Sequence, residues 1–162
     1  MPALNKSTRF FQPEVSRVHF LPTIAAPTLI PTRAEITAGT NVTAEIADLS
    51  GWQVRADMIA TPDLASRFVS QIAGRTKAEQ SSITFYADMT ANDVRTVMPR
   101  GQVGYIVFMD GGDVPTTGKM DVYPVEVAAV GKARSTGDQA LQVTIDYAIT
   151  RPPAEDVTIP AA

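Results

Sequence analysis

LQVTIDYAIT (141–150) puts an apolar side chain at every odd position: Leu141, Val143, Ile145, Tyr147 and Ile149. Gln142, Thr144, Asp146 and Thr150 occupy even positions between them. A period of two belongs to a strand with one face on a core and the other on solvent. Upstream, Tyr123, Val125, Val127 and Ala129 repeat the pattern with Glu126 facing away. Gly137-Asp138 supplies turn chemistry between the two stretches, so they read as a hairpin of the last two strands.

Further out the pattern persists. Ile83, Phe85 and Ala87 alternate with Thr84, and Trp52, Val54, Ala56 and Met58 with Gln53, Arg55 and Asp57. GYIVFM (104–109) is apolar on both faces and reads as a central strand covered from both sides, closed by the turn Gly111-Gly112-Asp113. One helix is signalled at about 91–98. Thr90 is its expected N-cap with Asp93 three residues on, Val94, Val97 and Met98 form its apolar face, and Pro99 and Gly101 stop it. Positions 41–49 suit a helix or a strand. The stretch 61–80 is long for a connection, and Phe68, Ile72 and Gly74 suit a projecting hairpin or an ordered loop. The fold class expected is all-β with one short flanking helix, as a β-sandwich or partly closed barrel.

Proline marks both ends. Pro2, Pro13, Pro22, Pro27 and Pro31 precede the alternating region, and Pro152, Pro153 and Pro160 follow it. Proline cannot donate to a ladder, so 1–31 and 151–162 read as extended arms around a domain at 32–150. The arms are not polar tails, however. Phe10, Phe11, Val18, Phe20 and Leu21 lie in the first, and Val157 and Ile159 in the second. Phe10, Phe11, Phe20 and Leu21 therefore read as groups made to dock on another surface.

Composition removes most chemistry. The chain has 162 residues, 44% apolar and 19% charged, with no cysteine and a single histidine, His19. Thiolate sites and a zinc centre are excluded, and a lone histidine in a proline-rich arm is poorly placed for a catalytic triad. No catalytic residue, cofactor or metal is expected. Asp110-Gly111-Gly112-Asp113 lacks the spaced ligands of a calcium loop, and Gly131-Lys132 with Ser135-Thr136 lacks the glycine spacing of a phosphate loop. No apolar run approaches bilayer length, and the first residues lack an apolar signal core, which reads as synthesis in a cytoplasm. The net charge of −3 divides into +2 over 1–31 (Lys6, Arg9 and Arg17 against Glu14) and −5 over the rest. Asp57, Glu126 and Asp146 point away from the expected core.

Several stretches, in order, resemble the major tail tube proteins of siphophages. They are Leu21-Pro22-Thr23, Pro27-Thr28, Gly39-Thr40, Ser50-Gly51-Trp52, Thr61-Pro62-Asp63-Leu64, Ser66-Arg67-Phe68 and SSITFY at 81–86. Pro99-Arg100-Gly101, 104–107, Asp110-Gly111-Gly112, DVYPV at 121–125 and AITRP at 148–152 follow. The resemblance spans roughly 21–160 and lacks the additional immunoglobulin-like domain of some relatives. It implies a structural virion subunit, made in the bacterial host cytoplasm, that forms hexameric rings stacked into a conduit for DNA. It implies that the arms, with Phe10, Phe11, Phe20 and Leu21 as self-assembly anchors, and one long loop, with Phe68 and Ile72, bridge subunits and rings, so that a chain lacking residues 1–22 is expected to fold but not to polymerise. Asp57, Glu126 and Asp146 then become candidates for the lumen wall, past which DNA slides without sequence-specific binding. The implied partners are further copies of the chain and the tape measure, tail terminator and distal tail proteins, with no membrane. The tube of a contractile tail or secretion system, and a decoration or adhesin-like β-domain, are the alternatives.

Overall fold

The structure, a computed structural model, describes residues 10–89 and 93–162. The alternating stretches become antiparallel strands. In chain order these are β1 (Arg17–Leu21), β2 (Thr40–Asn41), β3 (Ile46–Ser50), β4 (Val54–Thr61), β5 (Ser70–Ala78) and β6 (Ser81–Tyr86), then β7 (Val103–Met109), β8 (Lys119–Ala133), β9 (Gln142–Ile149) and β10 (Ala154–Thr158). Two short helices, α1 (Arg33–Ala38) and α2 (Val94–Val97), accompany them. The main sheet runs β2-β1-β7-β8-β9-β6-β3, with β10 also on β8, while β4 and β5 form a separate hairpin.

Side-chain parity builds two cores on opposite faces of the sheet. The first holds Phe20, Ile83, Phe85, Ile106, Tyr123, Val125, Val143, Ile145 and Tyr147, with Val94 and Met98 of the α2 segment against it. Strands near both ends of the sheet contribute to it, and the segment before β1 shares a groove with β3. The sheet therefore curls into a partly closed barrel whose seam lies between β1 and β3. The second core, of Leu21, Ile36, Val107, Met109, Met120, Val122 and Ile159, sits under α1 and the chain end. Central β7 feeds both cores, with Ile106 in one and Val107 and Met109 in the other, as its two-sided apolar pattern requires. Gly104 makes its approach to β1 possible, since a Cβ there would lie 2.5 Å from the Phe20 ring.

Bulges limit the alternation. A bulge in β5 sets Gly74 and Arg75 against Asp57 of β4 and shifts the register of the hairpin, and Met58 ends 64% exposed. Another, between Val127 and Ala129, bends long β8 so that its first half pairs with β7 and β10 and its second with β9. The β8–β9 hairpin contains Gly137-Asp138, but in an eight-residue connection, 134–141.

Four expectations need correction. First, the terminal segments are not free arms. β1 is hydrogen-bonded to β7 and β2, with Phe20 at 3% exposure and Leu21 at 0%, and β10 pairs with β8 while Ile159 is fully buried. Proline bounds these strands without entering them, so it marked their ends and not their absence. Removing residues 1–22 would take out a strand of the sheet. Second, the all-β class with a short flanking helix holds, and among the described residues α1 adds a further short helix that was not expected. Thr32 and Glu35 form a complete capping box at the start of α1, and Glu35 also accepts the Ala25 N–H at 2.8 Å. These backbone donors hold the Glu35 carboxyl below its ordinary pKa. Third, α2 starts later than expected. Asp93 is its N-cap, accepting from the Arg95 N–H and pairing with the Arg95 guanidinium. The expected cap Thr90 lies outside the described residues. Fourth, 41–49 is neither one helix nor one strand, but β2, a single 3-10 turn at Thr43–Glu45 and β3.

Candidate assembly surfaces

The long segment takes its hairpin form. β4 and β5 stand apart from the main sheet, joined by the connection 62–69. The chain enters through Gly51 (φ 82°) and Trp52 (φ 62°), two successive left-handed residues that turn it out of β3. A Cβ on Gly51 would lie 2.3 Å from the Gln80 carbonyl oxygen, so only glycine fits this elbow.

Trp52 fixes the elbow to the barrel. Its indole N–H donates to the Ser82 carbonyl at 3.2 Å, and its own carbonyl accepts from the Tyr123 hydroxyl at 2.9 Å. Its ring lies 4.9 Å from Phe108, 5.3 Å from Tyr123 and 5.4 Å from Tyr147, mostly edge-on. At the root, Arg55 pairs with Glu79 and Lys77 with Asp57, both at 2.9 Å.

Beyond the root the hairpin is apolar and, among the described residues, uncovered. Met58, Ile59, Leu64, Phe68, Val69 and Ile72 are all exposed, Leu64 and Phe68 most of all. Ile59 and Ile72 are directly cross-strand. An isolated two-stranded hairpin is marginal in water, and clustered apolar side chains on a surface mark a contact site. Phe68 and Ile72 thus lie together on one projection. Leu64, absent from the sequence-based candidates, is the most exposed of the group. Its place in a Pro-Asp-Leu turn gave no alternation to mark it.

The other candidates separate. Phe10 and Phe11 are exposed at 54% and 78%, whereas Phe20 and Leu21 are already spent inside the subunit. Glu126 and Asp146 share the outer face of the main sheet, because Glu126 opposes Ala148, two residues along β9 from Asp146. Ser82, Thr84 and Thr144 continue that face, with a Thr84–Thr144 hydroxyl contact of 3.0 Å. Asp57 does not join it; the carboxylate is on the hairpin root, held by Lys77. Asp48 of β3, opposite Thr84, does belong to the face and was missed because 41–49 had no settled period.

A groove of about 1050 Å³ follows the barrel seam, lined by residues of 12–18 and 41–49. Its apolar lining includes Pro13, Val18, Ile46 and Leu49, with Glu14, Arg17 and Asp48 among the polar groups. The Arg17 guanidinium donates to the carbonyls of Glu14 at 2.8 Å and Ser16 at 2.9 Å.

The turn carboxylates and the single histidine hold structural positions. Asp113 and Arg33 form a two-point ion pair at 2.7 and 2.9 Å, and Arg33 also donates to the Pro160 carbonyl at 3.0 Å, tying the chain end to α1. Arg33 in turn holds Asp113 below its ordinary pKa. Asp110 is pushed up, first by burial and then by Asp121. His19 lies half-buried on β1 with its Nδ1 unpartnered; burial lowers its pKa, partly opposed by Asp113. No acidic or histidine cluster among the described residues is arranged to hold a metal ion, and no described helix is long and apolar enough to cross a membrane.

A family profile described as phage tail tube protein matches residues 5–162. No curated protein sequence matches. Among solved structures, a chain of the anti-feeding prophage (AFP) baseplate, solved by cryo-EM with 6-fold symmetrisation, superposes with a TM-score of 0.54 at 11% identity. The match covers 93% of this chain and 95% of that one, a likeness of fold alone.

Proposed function

The chain belongs to the phage tail tube protein family, and from that membership we propose that it is the repeating subunit of a siphophage tail tube, six copies closing each ring and rings stacking along the tail. Members of this family are structural components of the virion and not enzymes. The single observation that carries the finer proposal is the β4–β5 hairpin. Its apolar side chains find no cover among the described residues of their own subunit, so in this reading another subunit supplies it. Six-fold rings are in keeping with the 6-fold symmetrised assembly that holds the fold relative.

In this reading Phe68 and Ile72 pack against the next ring, and Phe10 and Phe11 anchor a neighbouring copy. Free strand edges are joined between subunits, which turns an aggregation liability into an assembly contact. The outer face bearing Glu126 and Asp146 lines the lumen and repels the DNA backbone, so that DNA slides through during ejection. Tape measure, tail terminator and distal tail proteins meet the tube along its lumen and at its two ends.

Negative-stain microscopy of the purified protein at rising concentration tests this. Rings and tubes with six-fold end views are expected. A monomer at every concentration, even with tail initiation proteins added, refutes it. The AFP baseplate likeness favours one second reading, the tube of a contractile tail or secretion system. Particles purified with a sheath around the tube would select it over the siphophage form.

A further inference from the structure

We propose that the seam groove between 12–18 and β3 is the socket for the β4–β5 hairpin tip of a second copy of this chain. The proposal rests on the self-assembly reading above and adds to it the surface that receives the hairpin.

The two surfaces match in chemistry. The groove has an apolar floor that includes Val18, Ile46 and Leu49. Glu14 and Asp48 stand on its lining, and neither has an ion-pair partner among the described residues. Arg17 is nearby, but its guanidinium is turned onto the backbone carbonyls of its own loop. The hairpin offers the converse. Leu64 and Phe68 are 108% and 77% exposed, and Arg67 and Arg75 have no ion-pair partner among the described residues. The other hairpin charges are already matched at the root, Arg55 with Glu79 and Lys77 with Asp57. One uncompensated cation at the apolar tip, Arg67, and a second nearer the root of the same hairpin, Arg75, thus face two uncompensated carboxylates beside an apolar floor. An apolar centre with a complementary charged rim is the composition of a specific protein interface.

Size and topology agree. About 1050 Å³ accommodates several side chains, not one anchor. None of the groove-lining residues comes from the hairpin, so the hairpin does not fill the socket of its own subunit. A projection on one surface and a socket on another make a head-to-tail contact, which propagates from copy to copy as a stacked tube requires.

The chain has no cysteine, so engineered thiols report without background. Ala44→Cys lies on the groove and Ala65→Cys beside Leu64 at the tip. The two variants are co-assembled, treated with a short bismaleimide and run on a denaturing gel, with each variant alone as control. Cross-linked dimers specific to the mixture are expected, and a ladder of higher species from the doubly substituted chain. A charge-swap series gives a second readout. Glu14→Lys with Asp48→Lys is expected to raise the critical concentration for assembly about tenfold, and Arg67→Glu with Arg75→Glu to restore it.

Tubes seen by microscopy, with no cross-link beyond the controls and no rescue by the swap, overturn the socket while leaving self-assembly intact. A cross-link from Ala44→Cys to Phe11→Cys, but not to Ala65→Cys, overturns it in favour of the N-terminal segment. Absence of any polymer from the unsubstituted chain overturns both proposals together.

Discussion

Phe68→Ala separates assembly from folding. The Phe68 side chain is 77% exposed in the subunit, so its removal takes almost nothing from the core. Exposed substitutions of this kind change stability by less than about 0.5 kcal/mol. In the proposed stacked tube the same ring would be buried. Full burial of a phenylalanine contributes about 1.5–3 kcal/mol, and roughly three quarters of that surface is still open in the free subunit. The expected loss per added subunit is therefore about 1–2 kcal/mol. Each 1.4 kcal/mol is a factor of ten, so the critical concentration rises about 5- to 30-fold. The assay is pelleting of polymer across a concentration series, with thermal melting by circular dichroism alongside. An unchanged critical concentration refutes the role of the hairpin in stacking. A fall in melting temperature of many degrees refutes the placement of Phe68 outside the core.

Trp52→Ala does the opposite. It removes edge contacts to three aromatic rings and the hydrogen bond to Ser82, costing about 3 kcal/mol and lowering the melting temperature by roughly 6–12 °C; a change under about 1 kcal/mol in urea unfolding would show the elbow to be unimportant. Glu126→Lys with Asp146→Lys should leave tubes intact and slow DNA ejection, most at low salt where screening is weakest. Ejection at the unaltered rate in low salt excludes this face from the lumen. His19 has a pKa lowered from 6.5 by burial, so between that lowered value and 6.5 the unfolded chain binds the proton and the folded one does not. Stability therefore falls as pH drops below 6.5, and His19→Gln should flatten that part of the urea-midpoint profile against pH; identical slopes count against the assignment.

Alternation in 141–150, 123–127 and 83–85 was enough to name the class, because a strand half-covered by a core must obey a period of two. The two-sided pattern of 104–109 likewise placed β7 at the centre, with a core on each face. The absence of cysteine and the single histidine are properties of the sequence alone and exclude thiolate chemistry. The capping box of α1 was also written locally, as Thr32 and Glu35. Only the tertiary structure decided the rest. Phe10 and Phe20 look alike as letters in a proline-rich segment, yet one is half exposed and the other sealed under β7. Which terminal segments enter the sheet depends on hydrogen bonds to strands some ninety residues away, such as Phe20 to Ile106. The outer face depends on register in the same way, placing Asp146 with Glu126 and leaving Asp57 on the hairpin. Periodicity is a property of one strand, whereas partner, register and exposure are properties of pairs, and no local pattern encodes a pair.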